Sequence, residues 1–329
     1  MTELLNKLKE KALLGKGIST DEALKITVLP GNEIFSILSI TEEVRRKFKG
    51  IEVNLCGIVS AKSGLCKEDC SFCSQSVKYT TDIEEFPMES AEKIVEKAIE
   101  AKDNGAREFS IVASGTAIEK ESDVDTLKDA IRGIKDSTEL ESCASLGTIG
   151  SKTMEQLKSA GLESYHHNLE TSRSFFPEVC TTHAYDDDVN TVKRAKDTGF
   201  YVCSGGIFGL GESWAQRIEL FTTLKELDVD CVPINFLNPR PGTPLEEAEN
   251  LTPIECLKII ATARLMMPKK DLIVCGGREV NLRDMQALIF AAGANGMMVG
   301  NYLTTKGRST EEDQAMLKDL GLKPKGAHK

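Results

Sequence analysis

Residues 51–73, IEVNLCGIVSAKSGLCKEDCSFC, place a short apolar stretch directly before three closely spaced cysteines. The apolar stretch, residues 51–60, has the length and hydrophobicity of a buried strand. Cys66, Cys70 and Cys73 follow it with the spacing C-x3-C-x2-C. Three thiolates on one tight loop can bind three irons of a [4Fe–4S] cluster and leave the fourth iron open to a chelating substrate. The stretch therefore predicts a strand that carries an iron–sulfur site at its C-terminal end.

A structural zinc site is the alternative interpretation of these three cysteines. Zinc in structural sites normally takes four protein ligands, often from C-x2-C pairs. No nearby Cys or His completes such a set. The cysteine spacing therefore favours an iron–sulfur cluster over zinc.

Strands and helices alternate along the chain from this first strand onward. The helices between the apolar segments carry Glu and Lys on their outer faces. Eight strand–helix units in about 250 residues predict an α/β fold, a (β/α)8 TIM-type barrel with its chemistry at the C-terminal ends of the strands. We expect an N-terminal helical extension over residues 1–48, the barrel over 49–305, and a C-terminal helix and tail over 306–329. The predicted strands are 51–60, 108–113, 140–146, 164–170, 201–207, 231–237, 272–276 and 296–299.

Charge and composition exclude several classes of partner. The net charge of −10 and the pI of about 5.2 argue against nucleic acid or an anionic membrane as the main partner. Apolar stretches fall short of the ~20 residues that a membrane span needs, and residues 1–17 lack the features of a signal peptide. We therefore expect a cytoplasmic protein. We also expect the C-terminal helix to begin at a Ser309 or Thr310 cap and residues 323–329 to be disordered.

Two further segments place polar or small residues at predicted strand ends. His166, Asn168 and Glu170 share one face of the fourth strand because side chains alternate along a strand. A carboxylate can accept two hydrogen bonds from a ribose diol, and an amide suits a ureido group because it both donates and accepts. Residues 205–212 read G-x-I-x-G-x-x-E, which either admits a cofactor close to the backbone or forms a tight turn. His167 is interpreted as an ordinary hydrogen-bonded buried imidazole.

Together these motifs resemble the radical S-adenosylmethionine superfamily and, within it, the biotin synthases. The cysteine spacing, Phe72 and the G-x-I-x-G-x-x-E segment carry the likeness to the superfamily, whereas residues 168–172 and 203–206 carry the likeness to the sulfur-inserting family. The resemblance implies that dethiobiotin is converted to biotin. A [4Fe–4S] cluster cleaves S-adenosylmethionine, the resulting radical removes hydrogen from two unactivated carbons in turn, and an auxiliary iron–sulfur cluster donates the sulfur.

The resemblance also implies partners and contact residues. It suggests a homodimer and a reductant such as flavodoxin or ferredoxin. His166 stands where the family usually has Asn, and Glu170 replaces Asp. Substrate contacts are expected from His166, Asn168 and Asn235. Contacts with S-adenosylmethionine are expected from Phe72, Ala113, Asn168, Glu170, Gly205, Ile207 and Phe236.

The chain departs from the family pattern in its auxiliary-cluster ligands. The resemblance implies a [2Fe–2S] cluster bound by Cys on strands two, three and five and by Arg on strand seven. Cys143 and Cys203 supply the third and fifth strands, but Ser110 and Ile273 stand in the other two positions. Two of the four usual ligands are therefore missing.

Three additional cysteines, Cys56, Cys231 and Cys275, lie on strands one, six and seven. Cys231 shares a strand face with Asn235, and Cys275 shares one with Ile273, so both are predicted to point into the barrel. Thiolates on well-separated strands favour a four-iron auxiliary cluster over [2Fe–2S]. The alternative is that the auxiliary cluster was lost and the cysteines only pack. The predicted auxiliary ligands are Cys56, Cys143, Cys203, Cys231 and Cys275.

Two other functions remain open at this point. A radical enzyme of similar barrel build, such as a hydrogenase-cofactor maturase, would share the three loop cysteines but would not need the deep pair Cys143 and Cys203. A non-catalytic iron–sulfur scaffold is disfavoured by the polar fourth strand. Cys180 and Cys256 are interpreted as structural, and the role of Arg278 is left undecided.

Overall fold

The computed structural model describes residues 2–305 and 307–326 of the 329-residue chain. Several helices begin at a Ser or Thr side chain that accepts a hydrogen bond from the first turn, as Ser213 does from the amide of Gln216. The helices are α1 (Thr2–Leu13), α2 (Thr20–Thr27), α3 (Ile34–Lys49), α4 (Ala91–Asp103), α5 (Glu121–Ser137), α6 (Ser151–Ala160), α7 (Tyr185–Asp197), α8 (Trp214–Glu226), α9 (Pro253–Met266), α10 (Arg278–Leu282), α11 (Leu288–Ala291) and α12 (Thr310–Asp319). The strands are β1 (Glu52–Lys62), β2 (Glu108–Ala113), β3 (Glu141–Ser145), β4 (Ser164–His166), β5 (Tyr201–Cys203), β6 (Gly206–Phe208), β7 (Cys231–Phe236), β8 (Asp271–Val274), β9 (Gly296–Met298) and β10 (Lys323–Pro324).

The strands close into a parallel barrel. The order follows the chain from β1 through β2, β3, β4, β5, β7, β8 and β9, and β9 pairs back onto β1. The segment β6 continues the fifth strand after a two-residue break, because both β5 and β6 pair with β7. Counting β5 and β6 as one interrupted strand gives eight positions around the barrel. The predicted (β/α)8 TIM-type fold is confirmed.

Two glycines explain how the interrupted fifth strand fits between its neighbours. A Cβ added at Gly205 would lie 1.9 Å from the carbonyl oxygen of Pro233, and one added at Gly206 would lie 2.4 Å from the carbonyl oxygen of Glu170. Both distances are shorter than any real contact, so the backbones approach more closely than a side chain would permit. The glycines are therefore required by strand packing at these two positions.

The N-terminal helices pack on the outside of the barrel. Helices α1 and α3 lie against α9, and α2 lies between α8 and α9. The Thr41 hydroxyl donates to the carbonyl oxygen of Ala291 at 2.6 Å, and Arg45 donates to that of Phe290 at 3.1 Å. These contacts tie the extension to the last barrel helices. The division of the chain after residue 48 remains a prediction.

The C-terminal helix is anchored by a buried ion pair. The Arg278 guanidinium donates to both carboxylate oxygens of Asp313 at 3.1 and 2.8 Å, and both side chains are buried. Helix α12 begins at the predicted Ser309 cap. The prediction of disorder over residues 323–329 is wrong at its start, because Lys323 and Pro324 pair with Glu52 and Val53, the first two residues of β1, which precede its pairing with β9 and β2. Residues 327–329 of that prediction lie outside the described residues.

Within the described chain, no single helix has the length and apolar composition of a membrane span. One bent pair, Thr20–Thr27 with Gly31–Lys49, meets the criterion only when its two helices are taken together across a 115° bend.

Candidate active site

The loop after β1 presents three half-buried thiols to one cavity. Cys66 is held by backbone hydrogen bonds, donating to Gln75 at 3.0 Å and accepting from Val77 at 2.8 Å. The amide of Cys73 donates to the carbonyl oxygen of Cys70 at 2.9 Å, which turns the loop back on itself. All three thiols line a cavity of 260 Å³. Three convergent sulfur donors beside open space suit a cluster with one iron left free for a ligand.

The loop thiols are neutral in the metal-free chain. Burial raises the pKa of Cys66, and it raises the pKa of Cys73 to about 11. Iron binds the thiolate and not the thiol, so cluster binding must displace these protons. Metal binding at the loop is therefore expected to weaken as the pH falls.

The polar side chains of the fourth strand lie between two cavities. His166, Asn168 and Glu170 line both the cavity of the loop cysteines and a second cavity of 380 Å³ inside the barrel. The ring nitrogen Nε2 of His166 is 2.9 Å from Oδ1 of Asn168, and Nδ2 of Asn168 donates to Glu170 at 3.4 Å. The strand itself ends at His166. The shared face predicted by alternation nevertheless persists through Glu170.

Glu170 has an unusual backbone and a perturbed carboxyl. Its φ of +60° is in the left-handed region, which non-glycine residues rarely adopt outside functional sites. Its carbonyl oxygen accepts from the amide of Ile207 at 2.8 Å, which holds this conformation. Burial raises the pKa of the Glu170 carboxyl to about 8. A neutral carboxylic acid at the junction of the two cavities is therefore the resting state at pH 7.

Besides Cys73 of the loop, which lines both cavities, five thiols on or next to the strands line the barrel cavity. Neighbouring members lie close together around the barrel: Cys203 and Cys231 are paired across β5 and β7, and Cys143 is within hydrogen-bond reach of Cys203. Cys56 on β1 lies close enough to Cys143 and Cys275 that a negative charge on either would raise the pKa of its thiol. We call this set the five-thiol ring. Its members are Cys56, Cys143, Cys203, Cys231 and Cys275.

The five-thiol ring has the donor chemistry of an iron–sulfur site. Four of its cysteines are buried and Cys56 is half-buried. Burial raises the pKa of Cys275 to about 12 and that of Cys56 well above its ordinary value. Ser110 is the paired neighbour of Cys143 on β2, and its buried hydroxyl lies beside the Cys143 thiol. Several neutral thiols around one cavity fit a soft, thiolate-bound metal group.

The two positions that lack a family ligand also face the cavity. Ser110 and Ile273 both line it, and Ile273 packs with Cys203, Cys231 and Cys275. The parity argument that placed Cys275 and Ile273 on one inward face therefore agrees with the geometry.

Glu108 lies at the base of the five-thiol ring, and it was missed at the sequence level. It is the paired neighbour of Cys56 on β2 and lines the same cavity. Burial raises the pKa of its carboxyl to about 7. Its position on the same strand face as Ser110 was the available signal.

The remaining predicted contacts fall around the same cavities. Phe72 lines both, Ala113 lines the cavity of the loop cysteines, and Ile207 and Phe236 line the barrel cavity. Asn235 also lines the barrel cavity, with its amide donating to the Gly206 carbonyl at 3.2 Å and accepting from the Gly276 amide at 3.0 Å. Each end of this amide keeps a free position for a ligand.

Gly205 takes a different place from the other predicted contacts. Its missing side chain faces the Pro233 backbone, and its amide donates to Oδ1 of Asn168 at 3.2 Å. Glu212 closes the same motif: its carboxylate accepts from the amides of Gly209 and Leu210 and pairs with Arg217 at 2.6 Å. Much of the G-x-I-x-G-x-x-E motif therefore stabilises a strand-to-helix turn and orients Asn168.

A chain of charged side chains beside the loop cysteines was also missed. His183 lies between the carboxylates of Glu68 and Asp188, and Asp188 also pairs with His167. The hydrogen bond with Asp188 raises the pKa of His183 to about 10. His167 is hydrogen-bonded, as interpreted from the sequence. Cys180 lines the cavity of the loop cysteines, and Cys256 is buried in α9.

Comparison with family models assigns two regions of the chain. Residues 62–224 match the radical SAM superfamily, and residues 233–323 match the biotin and thiamin synthesis associated domain. The first region contains the loop cysteines and the polar fourth strand, and the second contains Asn235 and Cys275.

Full-length relatives agree with both matches. The chain is 52% identical to the biotin synthase of Geotalea daltonii, covering 97% of each protein. It is 49% identical to the biotin synthase of Geotalea uraniireducens, covering 98% of each protein. These relatives favour a biotin synthase over a hydrogenase-cofactor maturase, and an enzyme over an iron–sulfur scaffold.

Solved structures of lower identity share the fold. Methylornithine synthase (PylB) is 22% identical with a TM-score of 0.84, over 97% of this chain and 98% of that one. HydG, a maturase of the [FeFe]-hydrogenase, is 16% identical with a TM-score of 0.82, over 98% of this chain and 76% of that one. These likenesses concern the fold alone. From the near-full-length identity to its relatives, the chain belongs to the biotin synthase family of radical S-adenosylmethionine enzymes.

Proposed function

We propose that this enzyme inserts sulfur into dethiobiotin and that the sulfur comes from an auxiliary cluster bound by the five-thiol ring. A [4Fe–4S] cluster with S-adenosylmethionine supplies the radical chemistry, and the auxiliary cluster supplies sulfur. The observation that carries the proposal is that two groups of thiols lie on opposite sides of the polar face formed by His166, Asn168 and Glu170. The loop cysteines line one cavity beside this face, and the five-thiol ring lines the barrel cavity.

The polar face between the two thiol sites is suited to orient both ligands. Glu170, once ionised, can accept two hydrogen bonds from a ribose diol. Asn168 is held by Gly205 and by His166, so its amide is fixed in direction. Asn235 projects from β7 on the same inward face as Cys231, four residues along the strand. A ureido ring bound by Asn168 and Asn235 would therefore lie above the ring of thiols, as hydrogen removal followed by sulfur transfer requires.

Apolar side chains form part of the wall around the reacting carbons. Ile58, Val112 and Met298 are among those that line the barrel cavity. A carbon radical beside such side chains has fewer groups with which to react than it has in water. This part of the wall would thus protect the intermediate stage of the reaction.

We infer a four-iron auxiliary cluster in place of the [2Fe–2S] type. The missing ligand positions Ser110 and Ile273 cannot supply thiolate or guanidinium. The ring offers five thiols on separate parts of the barrel: four lie on β1, β3, β5 and β7, and Cys275 directly follows β8. A cubane needs four thiolates, so one of the five thiols would remain free of the cluster.

The test combines product analysis with metal analysis of the anaerobically reconstituted enzyme. With S-adenosylmethionine and a reductant, we expect biotin and 5′-deoxyadenosine, with nucleoside formation dependent on dethiobiotin. We expect about eight irons per chain and Mössbauer spectra of two four-iron clusters. About four irons per chain with no second cluster would contradict the auxiliary site.

Matched cysteine variants assign the second cluster. Cys143→Ser and Cys275→Ser should lower iron toward about four per chain while leaving the reduced signal of the loop cluster intact. Cys256→Ser is the control, because this buried thiol lies in α9 away from both cavities. An unchanged iron content in all ring variants would refute the ligand assignment.

We further propose a homodimer, a flavodoxin or ferredoxin reductant and a cytoplasmic location. Light scattering of the purified chain measures the molar mass and tests the homodimer. Reduction of the loop cluster by flavodoxin or by ferredoxin tests the electron carrier.

A further inference from the structure

Four side chains form a continuous polar connection between the loop cysteines and the fourth strand. Nδ1 of His183 is 2.9 Å from Oε2 of Glu68, and Nε2 of His183 is 3.3 Å from Oδ2 of Asp188. The other oxygen of Asp188 is 2.8 Å from Nε2 of His167. The side chains are between 6% and 18% exposed. We call Glu68, His183, Asp188 and His167 the relay.

The two ends of the relay lie on the cluster loop and on the fourth strand, whose relative position matters for a cofactor that contacts both. Glu68 is between Cys66 and Cys70 on the cluster loop, and His167 is between His166 and Asn168. Asp188 is on the first turn of α7, a different element from both. The relay therefore spans three separate segments through side chains alone.

Neighbouring hydrogen bonds hold the relay and the loop together. Oε1 of Glu68 accepts from Thr116, and Oε2 accepts from Thr182. Asp69 accepts from the amide of Thr181 at 2.8 Å, and the amide of Ser71 donates to the Val179 carbonyl at 2.9 Å. The loop is thus clamped to residues 179–183 on one side, and His183, whose Nδ1 also lies 3.2 Å from Sγ of Cys180, continues the connection toward the strand.

We propose that His183 is a positioning residue, whose bridge between Glu68 and Asp188 sets the cluster loop at the distance from Asn168 and Glu170 that S-adenosylmethionine must span. The proposal rests on the proposed function, since it assumes that the cofactor binds both the loop cluster and the strand. S-adenosylmethionine bound at its two ends needs both ends in place, so a small displacement of the loop costs affinity and alignment together.

A cation between two carboxylates explains why the bridge is a histidine. Without His183, Glu68 and Asp188 would face one another across a partly buried space as like charges. An arginine can also donate to two carboxylates at once because its guanidinium carries five N–H groups. A glutamine is neutral and cannot compensate either charge. His183→Arg should therefore retain the bridge, whereas His183→Ala and His183→Gln should lose it.

The experiment uses the anaerobically reconstituted full-length enzyme and reads the loop cluster directly. We expect His183→Ala to raise the KM for S-adenosylmethionine about tenfold or more, with a smaller fall in kcat. The change in the EPR signal of the reduced cluster on adding S-adenosylmethionine should be diminished, and His183→Arg should restore both quantities toward wild type. Asp188→Asn, which keeps the shape and removes the charge, should show the same defect in weaker form.

A matched control lies between β4 and α7, in the same segment as His183. Arg173→Ala breaks an exposed ion pair with Asp186 and should leave KM and EPR signal unchanged. If His183→Ala binds its iron normally and shows wild-type KM and EPR response, the positioning role is wrong. Failure of His183→Arg to restore either quantity also overturns it. If instead the relay variants behave as expected but wild-type enzyme forms no biotin, the proposed function fails and the positioning role stands.

Discussion

Replacing Glu170 by Gln should weaken S-adenosylmethionine binding and abolish a pH dependence that the wild type shows. Burial raises the pKa of the Glu170 carboxyl to about 8 from an ordinary value of 4.5. Its hydrogen-bond partner is the Asn168 amide at 3.4 Å, and no Lys or Arg of the described chain forms an ion pair with it. The neutral acid therefore predominates at pH 7, although a ribose diol is bound best by the carboxylate.

The size of the effect follows from this pKa. About one tenth of the carboxyl is ionised at pH 7 and about nine tenths at pH 9. If only the ionised form accepts both hydrogen bonds, the dissociation constant of S-adenosylmethionine should fall about ninefold between these pH values, or about 1.3 kcal/mol. Affinity should then level off above the pKa. Glu170→Gln should bind weakly at every pH.

Anaerobic equilibrium dialysis of S-adenosylmethionine between pH 6.5 and 9 measures this, with cluster content checked by iron analysis. Glu100→Gln, at a residue exposed on α4, is the control and should follow the wild type. A flat wild-type profile, or the same slope in Glu170→Gln, would refute the assigned role of this carboxylate.

The same shift has a consequence for the stability of the metal-free chain. The pKa of the Glu170 carboxyl is higher in the folded chain than in the unfolded chain. Its contribution to the free energy of unfolding is therefore fully present below about pH 4.5 and is lost as the pH rises through about 8. The full difference corresponds to at most about 4 to 5 kcal/mol. Denaturant unfolding should show this loss in wild type and a smaller one in Glu170→Gln, and equal losses would contradict the shift.

Three further predictions follow from particular contacts. Gly206→Ala places a Cβ 2.4 Å from the carbonyl oxygen of Glu170, so it should displace that residue and raise the KM for S-adenosylmethionine; an unchanged KM would show that the strand tolerates the shift. Asp313→Asn leaves the buried Arg278 with only the longer contact to Glu279 at 3.5 Å and should cost about 3 kcal/mol in denaturant unfolding; a loss below about 1 kcal/mol would mean that Glu279 or water compensates the guanidinium charge. Arg240 is the one Lys or Arg among the described residues that line the barrel cavity, so Arg240→Gln should raise the KM for dethiobiotin more than that for its uncharged amide; an equal rise for both would exclude a carboxylate contact.

Much of the fold was accessible from local patterns. The alternation of short apolar strands with amphipathic helices depends only on near neighbours in the chain, and it predicted the barrel and nearly all strand positions. Parity along β7 and β8 likewise placed Cys231 with Asn235 and Cys275 with Ile273, because side-chain direction alternates at every residue. Local patterns did not predict β10, since Lys323 and Pro324 become a strand only by pairing with the first two residues of β1.

Contacts between distant segments account for what was missed. The relay consists of ordinary polar residues whose significance depends on the strands and loops that surround them. His183 has a carboxylate on each side only because the loop of Glu68 and the start of α7 meet there. Such meetings depend on barrel closure and loop docking, which no spacing along the chain records.

The sequence by itself determined the three loop cysteines and their spacing, the order of strands, and the shared faces of Cys231 with Asn235 and of Cys275 with Ile273. These are consequences of covalent spacing and backbone periodicity. Only the tertiary structure decided that four strand thiols and Cys275, directly after β8, line one cavity, that Glu170 lies between two cavities in a left-handed conformation, and that Gly205 and Gly206 serve strand packing. Those facts depend on distances across the barrel, which exist only once its first and last strands have paired.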